Sequence, residues 1–433
     1  MNIKRNERAE VVTLSAKLLP RLILLISLFF LSRLYAARNP VDADLEASQR
    51  ALFSGNYPEA IEYSTRVIRR DRSSVLAYTY RGTAYTEQQR WDLALKDFSK
   101  AISLDTENGR LYYLRAIVYT RMGRTQKAIE DFSKTIIHEP GILDSYYQRA
   151  LLLLGQGKVD KALNDLIIVT NIDPAHADGY FYEATIYASK GNYDLALSYY
   201  NKALTISPNL AMAYLYRGKT FLLRSEYRAA LRDFNKAISL KSGYLDAYNN
   251  RAMAHYFLKE YTASLNDLNY VLDRDIENVQ AYLNRGNLYI TTDRYGDAIS
   301  DFSRVILMFP NIAVAYNNRA YAYLRMGSDA GYALQDVNKA IKLDSKQASY
   351  YDTRGEAYYQ LGEYNQALNS LNKAIRLDST MAAAYYHRAL TYRELGKTKQ
   401  AMKDLTLARR YDSEEEFTSK IDQLISLLET ETY

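Results

Sequence analysis

Apolar and polar positions repeat along the chain with helical spacing, and residues 279–312 show the pattern most completely. Tyr282, Gly286 and Tyr289 stand at i, i+4 and i+7, which places them on one face of a helix. A short polar stretch follows before the next apolar positions begin. The pattern therefore predicts one amphipathic helix followed by a turn.

A second apolar face follows the turn and consists of Ala298, Phe302 and Val305. Pro310 is predicted to end this second helix, because proline lacks an N–H and clashes with the preceding turn. The short connection makes the two helices antiparallel neighbours. Glycine and alanine occupy the places where their axes come close. One such hairpin cannot bury its apolar face alone, so it needs a copy on each side.

The copies are present, because the first tyrosine of the unit returns every 34 residues over most of the chain. After Tyr316 the phase shifts by one residue. A less regular copy, 41–74, precedes the others, so we count eleven repeats over 41–415. The tyrosines in phase are Tyr78, Tyr112, Tyr146, Tyr180, Tyr214, Tyr248, Tyr282 and Tyr316, followed by Tyr351 and Tyr385.

This spacing resembles the tetratricopeptide repeat (TPR), whose pattern is a large residue-x2-Leu-Gly-x2-Tyr, then Ala-x3-Phe, then Pro. The sequence departs from it at Arg285, which stands where the family usually has Leu. The resemblance implies an all-α fold, a right-handed superhelix (an α-solenoid of antiparallel helix pairs). It also implies a non-catalytic scaffold that binds a protein or an extended peptide in its concave groove.

Residues 1–40 differ from the repeats, because a basic leader precedes the uncharged run Leu22–Ser32. The run of about eleven residues is shorter than the roughly twenty needed to span a bilayer and is typical of a signal peptide. Cleavage is expected between Ala36 and Ala37. The mature chain would then be exported (periplasmic or extracellular), and an uncleaved segment would anchor it to a membrane. A mitochondrial-type presequence is a third interpretation, which two glutamates in the leader disfavour.

The end of the chain, 416–433, contains a predicted amphipathic helix over 416–429. We interpret it as a capping helix that covers the last hairpin, and a partner-binding helix is the alternative. Its apolar face consists of Phe417, Ile421, Leu424, Ile425 and Leu428.

Composition and charge disfavour several classes of function. The formal net charge is +6, but residues 1–38 supply +5 of it, so the repeats are nearly neutral and predict no nucleic-acid-binding face. Cysteine is absent, and the four histidines occupy different phases without a second ligand at metal spacing. The sequence therefore predicts no catalytic residue, no metal site and no cofactor.

Arginine stands at the usual Leu position in nine repeats, and eight of these have Asp one residue before the Phe position of the second helix. Because the two positions vary together, we predict a ladder of structural Arg–Asp pairs. The arginines are Arg81, Arg115, Arg149, Arg217, Arg251, Arg285, Arg319, Arg354 and Arg388. The aspartates are Asp97, Asp131, Asp165, Asp233, Asp267, Asp301, Asp336 and Asp404.

Asparagines at one phase of three consecutive repeats form the candidate binding site. Their spacing is similar to that of the asparagine ladder in the O-linked GlcNAc transferase repeats, which implies that they hold a peptide by its backbone. An amide suits this role because it both donates and accepts. The expectation is a row on the concave side with amides free of intramolecular partners; the alternative is a solvated repeat consensus. The candidates are Asn250, Asn284 and Asn318, together with Asn249, Asn287 and Asn317.

The functional prediction is thus a protein- or peptide-binding TPR scaffold, exported or membrane-tethered, that touches membrane only through its N-terminal segment. The alternative is a structural subunit of an envelope or self-associated assembly. The two hypotheses differ in whether another copy or an assembly partner fills the groove.

Overall fold

The computed structural model describes residues 40–327, 330–413 and 417–430, so the predicted export signal and its cleavage site lie outside the described residues. The described residues form 23 α-helices and no strand, which confirms the all-α prediction. None of these helices combines the length and apolar character needed to cross a membrane. The chain divides into two units, which are described separately below.

Unit 1 extends to Thr220 and contains the first five hairpins and most of the first helix of the sixth. In each repeat the odd-numbered helix is the first helix and the even-numbered one the second. The helices are α1 (Pro40–Phe53), α2 (Tyr57–Arg70), α3 (Val75–Glu87), α4 (Trp91–Leu104), α5 (Gly109–Arg121), α6 (Thr125–His138), α7 (Leu143–Gly155), α8 (Val159–Ile172), α9 (Ala177–Ser189), α10 (Tyr193–Ile206) and α11 (Ala211–Leu223).

Unit 2 begins at Phe221 and contains the remaining helices, which form five complete hairpins after α12 and one final helix. They are α12 (Tyr227–Leu240), α13 (Leu245–Phe257), α14 (Tyr261–Leu272), α15 (Val279–Thr291), α16 (Tyr295–Met308), α17 (Ala313–Arg325), α18 (Ala330–Leu343), α19 (Ala348–Gln360), α20 (Tyr364–Leu377), α21 (Ala382–Glu394), α22 (Thr398–Tyr411) and α23 (Thr418–Thr430).

The signature glycine marks the closest approach of the two helices in a hairpin. A Cβ added at Gly286 would lie 2.6 Å from the ring of Phe302, well inside van der Waals contact. Ala298 and Phe302 on the facing helix are fully buried. The close approach that the sequence pattern predicts is therefore present. The second helix ends at Met308, two residues before Pro310, in agreement with the prediction that this proline ends it.

The turns inside the hairpins require a residue with positive φ. Seven of the described turns place glycine there, with φ between 69° and 78°. Four others use a residue with a side chain, at φ between 57° and 62°, where glycine would be less strained. These four residues are Gln89, Ser225, Lys259 and Asp293.

The predicted capping helix is confirmed as α23. Ile421, Leu424 and Leu428 are buried against α21 and α22, where they cover Leu405. Without this helix the apolar face of the last hairpin would meet water, so α23 supplies the polar outer surface that a terminal repeat needs.

The Arg–Asp ladder is also confirmed wherever both residues lie within one unit. Arg285 donates from Nε and Nη2 to the two carboxylate oxygens of Asp301, both at 2.8 Å. Its Nη1 donates to Asn269 on the second helix of the preceding repeat at 2.7 Å. One arginine therefore joins three helices. The same fork, at 2.6–3.0 Å, occurs at Arg81, Arg115, Arg149, Arg251, Arg319 and Arg388.

Candidate functional site

The six candidate asparagines lie on α13, α15 and α17, the first helices of three consecutive repeats in unit 2. We call the surface that they form the amide face. It is defined by Asn249, Asn250, Asn284, Asn287, Asn317 and Asn318.

The amide face is joined from helix to helix by side-chain hydrogen bonds. Asn284 on α15 donates to Asn249 on α13 at 3.0 Å, and it accepts from Gln280 one turn earlier at 2.9 Å. On the other side, Asn318 on α17 donates to Asn287 on α15 at 2.8 Å. The amides therefore connect successive first helices to one another.

Exposure separates the six residues into two groups. Asn249, Asn284 and Asn317 are buried, with 7–9% of their surface exposed. Asn250 and Asn318 are half-buried, and Asn287 is exposed. Residues at one phase of the repeat therefore do not share one environment, because the neighbouring side chains differ from repeat to repeat.

The expectation that the amides are free of intramolecular partners is wrong. Asn284 both donates and accepts inside unit 2, and Asn250 donates to the carbonyl oxygen of Asp246 in its own helix at 2.7 Å. Asn317 donates to Asn318 at 3.3 Å, while its own Oδ1 is buried and accepts no hydrogen bond within the described chain. Most of these amides pair with a neighbouring group, because leaving a buried polar atom unpaired costs about 1–3 kcal/mol, and Asn317 Oδ1 is the exception among them.

Polar contacts between first helices continue beyond the amide face with charged groups. Arg325 on α17 pairs with Glu356 on α19 at 2.8 Å, and Asp352 on α19 lies 2.8 Å from Nδ1 of His387 on α21. All four side chains are at least partly buried. Phe417, next to α23, covers the His387 ring in an edge-on contact.

The charges around His387 favour its protonated form. Burial lowers the pKa of this imidazole, but the carboxylates of Asp352 and Glu356 outweigh burial and raise the pKa above its usual value. Asp352 and His387 are separated by 35 residues, as are Asn249 and Asn284. An ionic pair thus occupies the place of an amide pair.

The equivalent surface of unit 1 is aromatic instead of amide-rich. Phe181 on α9 meets Tyr216 on α11 edge-on at 5.5 Å, and Tyr113 on α5 donates to Asp144 on α7 at 2.6 Å. Burial raises the pKa of Asp144, although its hydrogen bonds from Tyr113 and Gln148 oppose this. A cleft of about 410 Å³ lies beside this surface and is lined by Thr83, Glu87, Trp91, Tyr113, Ile117 and Arg121, among others.

The fold and the side chains define a helical-repeat scaffold with no group of three or more metal-binding side chains among its described residues. Family models described as tetratricopeptide repeat match residues 147–211, 249–311, 283–348 and 382–414, and one described as TPR repeat matches 82–123 and 355–396. Together these matches cover more than half of the sequence. The chain therefore belongs to the tetratricopeptide repeat family, whose scaffold is typical of protein–protein interaction.

Solved structures show similar folds at low sequence identity. The crystal structure of the APC/C hetero-tetramer Cut9-Hcn1 matches with a TM-score of 0.52 and 15% identity, over 92% of this chain and 98% of that chain. A tetratricopeptide repeat protein from Parabacteroides merdae ATCC 43184 matches with a TM-score of 0.48 and 21% identity, over 57% and 98%. Yeast Tom70 matches at 0.44 and 15%, over 90% and 96%. A search among curated proteins found no match.

The sequence identifies the asparagines but reveals neither their pairing nor the charged pairs that continue it. Asn249 and Asn284, like Asp352 and His387, are 35 positions apart in the sequence, one more than the repeat length. Each of these pairs therefore joins one position of a first helix to the position one residue later in the first helix of the next repeat. The identical phases of successive repeats do not reveal these contacts, because each joins two different phases.

Proposed function

We propose that this chain is a non-catalytic scaffold that binds an extended polypeptide on the amide face of unit 2. The observation that carries the proposal is the arrangement of half-buried and exposed amides on three successive first helices. Each amide uses one or two of its hydrogen-bonding positions inside the protein, and the remaining donors and acceptors are available to a backbone. Recognition of this kind is independent of peptide sequence.

The buried and the more exposed asparagines of the amide face have different roles. Asn249 and Asn284 hold α13 and α15 together, whereas Asn250, Asn287 and Asn318 present their unused amide positions to the ligand. Asn318 also donates to Asn287 across α17 and α15, so a variant in the second group should change binding strongly and stability only slightly.

The test replaces Asn250, Asn287 and Asn318 together by alanine and measures affinity for an unfolded polypeptide, reduced and carboxymethylated α-lactalbumin. Three lost hydrogen bonds at about 0.5–1.5 kcal/mol each predict a loss of affinity of at least tenfold. Helix content should stay the same and the melting temperature should change little, because the higher helix propensity of alanine offsets the loss of the exposed Asn318–Asn287 hydrogen bond. Unchanged affinity in this variant would contradict the proposed site.

A matched control removes three exposed asparagines from second helices of the same unit. Asn266 on α14 and Asn365 and Asn369 on α20 are exposed and lie outside the amide face. Their triple alanine variant should bind the polypeptide as the unchanged protein does. An equal loss of affinity in both variants would mean that the amide face has no special role.

The proposed location follows from the leader sequence. We place the repeats outside the cytoplasm, either free after cleavage before Ala37 or tethered by an uncleaved N-terminal segment. N-terminal sequencing of the protein from its native host distinguishes these two states. An intact Met1 on soluble cytoplasmic protein would contradict both.

Exposed isoleucines in unit 1 favour the second candidate function, a subunit that assembles with itself or with an envelope partner. Ile137 and Ile172, near the ends of α6 and α8, are 74% and 62% exposed. The molecular mass measured by sedimentation over a wide concentration range tests self-association. Under this candidate the mass rises with concentration and returns to that of a monomer when both residues are changed to Asn.

A further inference from the structure

One repeat of unit 2 lacks the carboxylate that completes the Arg–Asp ladder. Arg354 on α19 donates from Nε to Ser370 on α20 at 3.1 Å and from Nη1 to Asn338 on α18 at 3.4 Å. Within the described part of the chain, Nη2 of Arg354 has no carboxylate partner. In each of the seven Arg–Asp forks described above, the arginine Nη2 donates to an aspartate. The guanidinium is only half-buried, so it can be reached from solvent.

A second cation lies beside this incomplete pair. The guanidinium of Arg354 is 5.1 Å from the centre of the Tyr351 ring, and Nζ of Lys373 is 5.9 Å from the same ring. Ser370 is buried, and its hydroxyl already donates to the carbonyl of Gln366. Neither Ser370 nor the Tyr351 ring carries a charge that would neutralise the two cations.

Unit 1 contains the same arrangement in its complete form. Arg115 and Lys134 both lie against the ring of Tyr112, at 5.8 and 5.1 Å. There Asp131 stands where Ser370 stands in the later repeat. Its carboxylate accepts hydrogen bonds from Nε and Nη2 of Arg115 at 2.7 and 3.0 Å. The carboxylate of Asp131 is thus replaced by the shorter, neutral Ser370, and the partner of the arginine Nη1 changes from Ser99 to Asn338.

The two helices that Arg354 contacts, α18 and α20, carry further positive charge. Lys339 and Lys342 lie one turn apart on α18, and Lys373 and Arg376 lie one turn apart on α20. The sequence of α20 contains no acidic residue. The only one on α18, Asp336, is held in the fork of Arg319.

The carboxylates that follow these two helices are turned toward their own loops. Asp344, after α18, accepts from the backbone N–H of Lys346 and from Gln347. Asp378, after α20, accepts from the backbone N–H and the hydroxyl of Thr380. The patch between α18 and α20 is therefore locally cationic, although the repeats as a whole are nearly neutral.

We propose that Arg354, Lys373 and Asn338 form a binding site for a phosphate group on the second-helix side of unit 2. The phosphate oxygens take the place of the missing carboxylate and accept from the guanidinium in the planar geometry that arginine offers. Asn338 accepts from Arg354 through its Oδ1, so its amide NH2 is a further donor to the ligand. A doubly charged group fits better than a single carboxylate, because Lys373 lies against the same tyrosine ring as Arg354, and α18 and α20 carry three more basic side chains, Lys339, Lys342 and Arg376.

The site is separate from the amide face, and its ligand is either free phosphate or a phosphoryl group on a bound partner. Titration with inorganic phosphate, followed by calorimetry at constant ionic strength, is the primary measurement. A second titration uses a short peptide with one phosphoserine, and its unphosphorylated form is the control. Tighter binding of the phosphopeptide identifies a partner's phosphoryl group, and tighter binding of inorganic phosphate identifies the free ion.

Two variants test whether the missing carboxylate beside Arg354 creates the phosphate site. Ser370→Asp supplies the missing carboxylate, so it should lower the phosphate affinity at least tenfold while raising the melting temperature. Adding Asp131→Ser to that variant opens the equivalent gap beside Arg115 and Lys134, and part of the phosphate binding should return. Equal phosphate affinity in the unchanged protein and in Ser370→Asp would overturn the proposal, as would absence of binding to the unchanged protein.

Discussion

The Arg–Asp fork is the most frequent polar contact between helices of one repeat, and its contribution to stability can be measured at Arg285 and Asp301. The side chain of Asp301 is 6% exposed and that of Arg285 is 19% exposed. Hydrogen bonding to the carboxylate raises the pKa of Arg285, whereas burial raises the pKa of Asp301 and the guanidinium opposes this shift. The appropriate comparison is therefore with buried ion pairs.

The expected free energies follow from what each substitution leaves behind. Arg285→Ala strands a buried carboxylate and should lower the free energy of unfolding by about 3–5 kcal/mol. Asp301→Ala leaves a guanidinium that still reaches Asn269 and some solvent, so its cost should be smaller, about 2–3 kcal/mol. The double variant strands no charge, and its cost should be about 2–3 kcal/mol less than the sum of the two.

Equilibrium urea unfolding gives these free energies, with hydrogen exchange of the α15 and α16 amides as a local measurement. The control cycle uses Arg294 and Asp297, a pair of similar length at 2.7 Å whose side chains are about half exposed. Its coupling should be only about 0.2–1 kcal/mol. If the Arg285 and Asp301 effects add to within about 0.5 kcal/mol, the two side chains do not act as a pair and the reasoning fails.

Two further predictions concern packing and pH. Gly286→Ala should lower the free energy of unfolding by about 1–3 kcal/mol, because its Cβ would overlap the Phe302 ring, whereas Gly296→Ala, with open space around it, should raise it by about 0.4–1 kcal/mol. The raised pKa of His387 stabilises the fold fully below its unfolded pKa of about 6.5, and this contribution is lost as pH rises through the folded value. The free energy of unfolding should therefore decline as pH rises above about 6.5, and Asp352→Asn should make this decline smaller. An equal decline in the unchanged protein and in Asp352→Asn would contradict the assignment.

The fold could be predicted because the same pattern of aromatic, small and apolar positions recurs from repeat to repeat. Tyr282, Gly286 and Phe302 specify a close helix hairpin, and the covariation of Arg with Asp predicts the contact of Arg285 with Asp301. These features are local or recur at one spacing, so sequence alone reveals them.

The environment of the candidate site could not be predicted in the same way. Whether Asn284 is buried or free depends on Asn249, which stands at a different phase of the preceding repeat. The cationic patch around Arg354 is not visible in the net charge of the chain, because acidic residues elsewhere balance it. Side-chain exposure and pairing are properties of neighbouring helices, which a periodicity does not specify.

The most direct test of the central claim is where a bound polypeptide lies. A photoreactive side chain placed at Asn287, and separately at Asn369 on α20, would be irradiated with the unfolded α-lactalbumin probe present. Our account predicts a cross-link from position 287 that decreases when Asn250 and Asn318 are changed to alanine, and none from position 369. Equal cross-linking from both positions, or a cross-link at 287 that those changes leave intact, would contradict binding through the amide face.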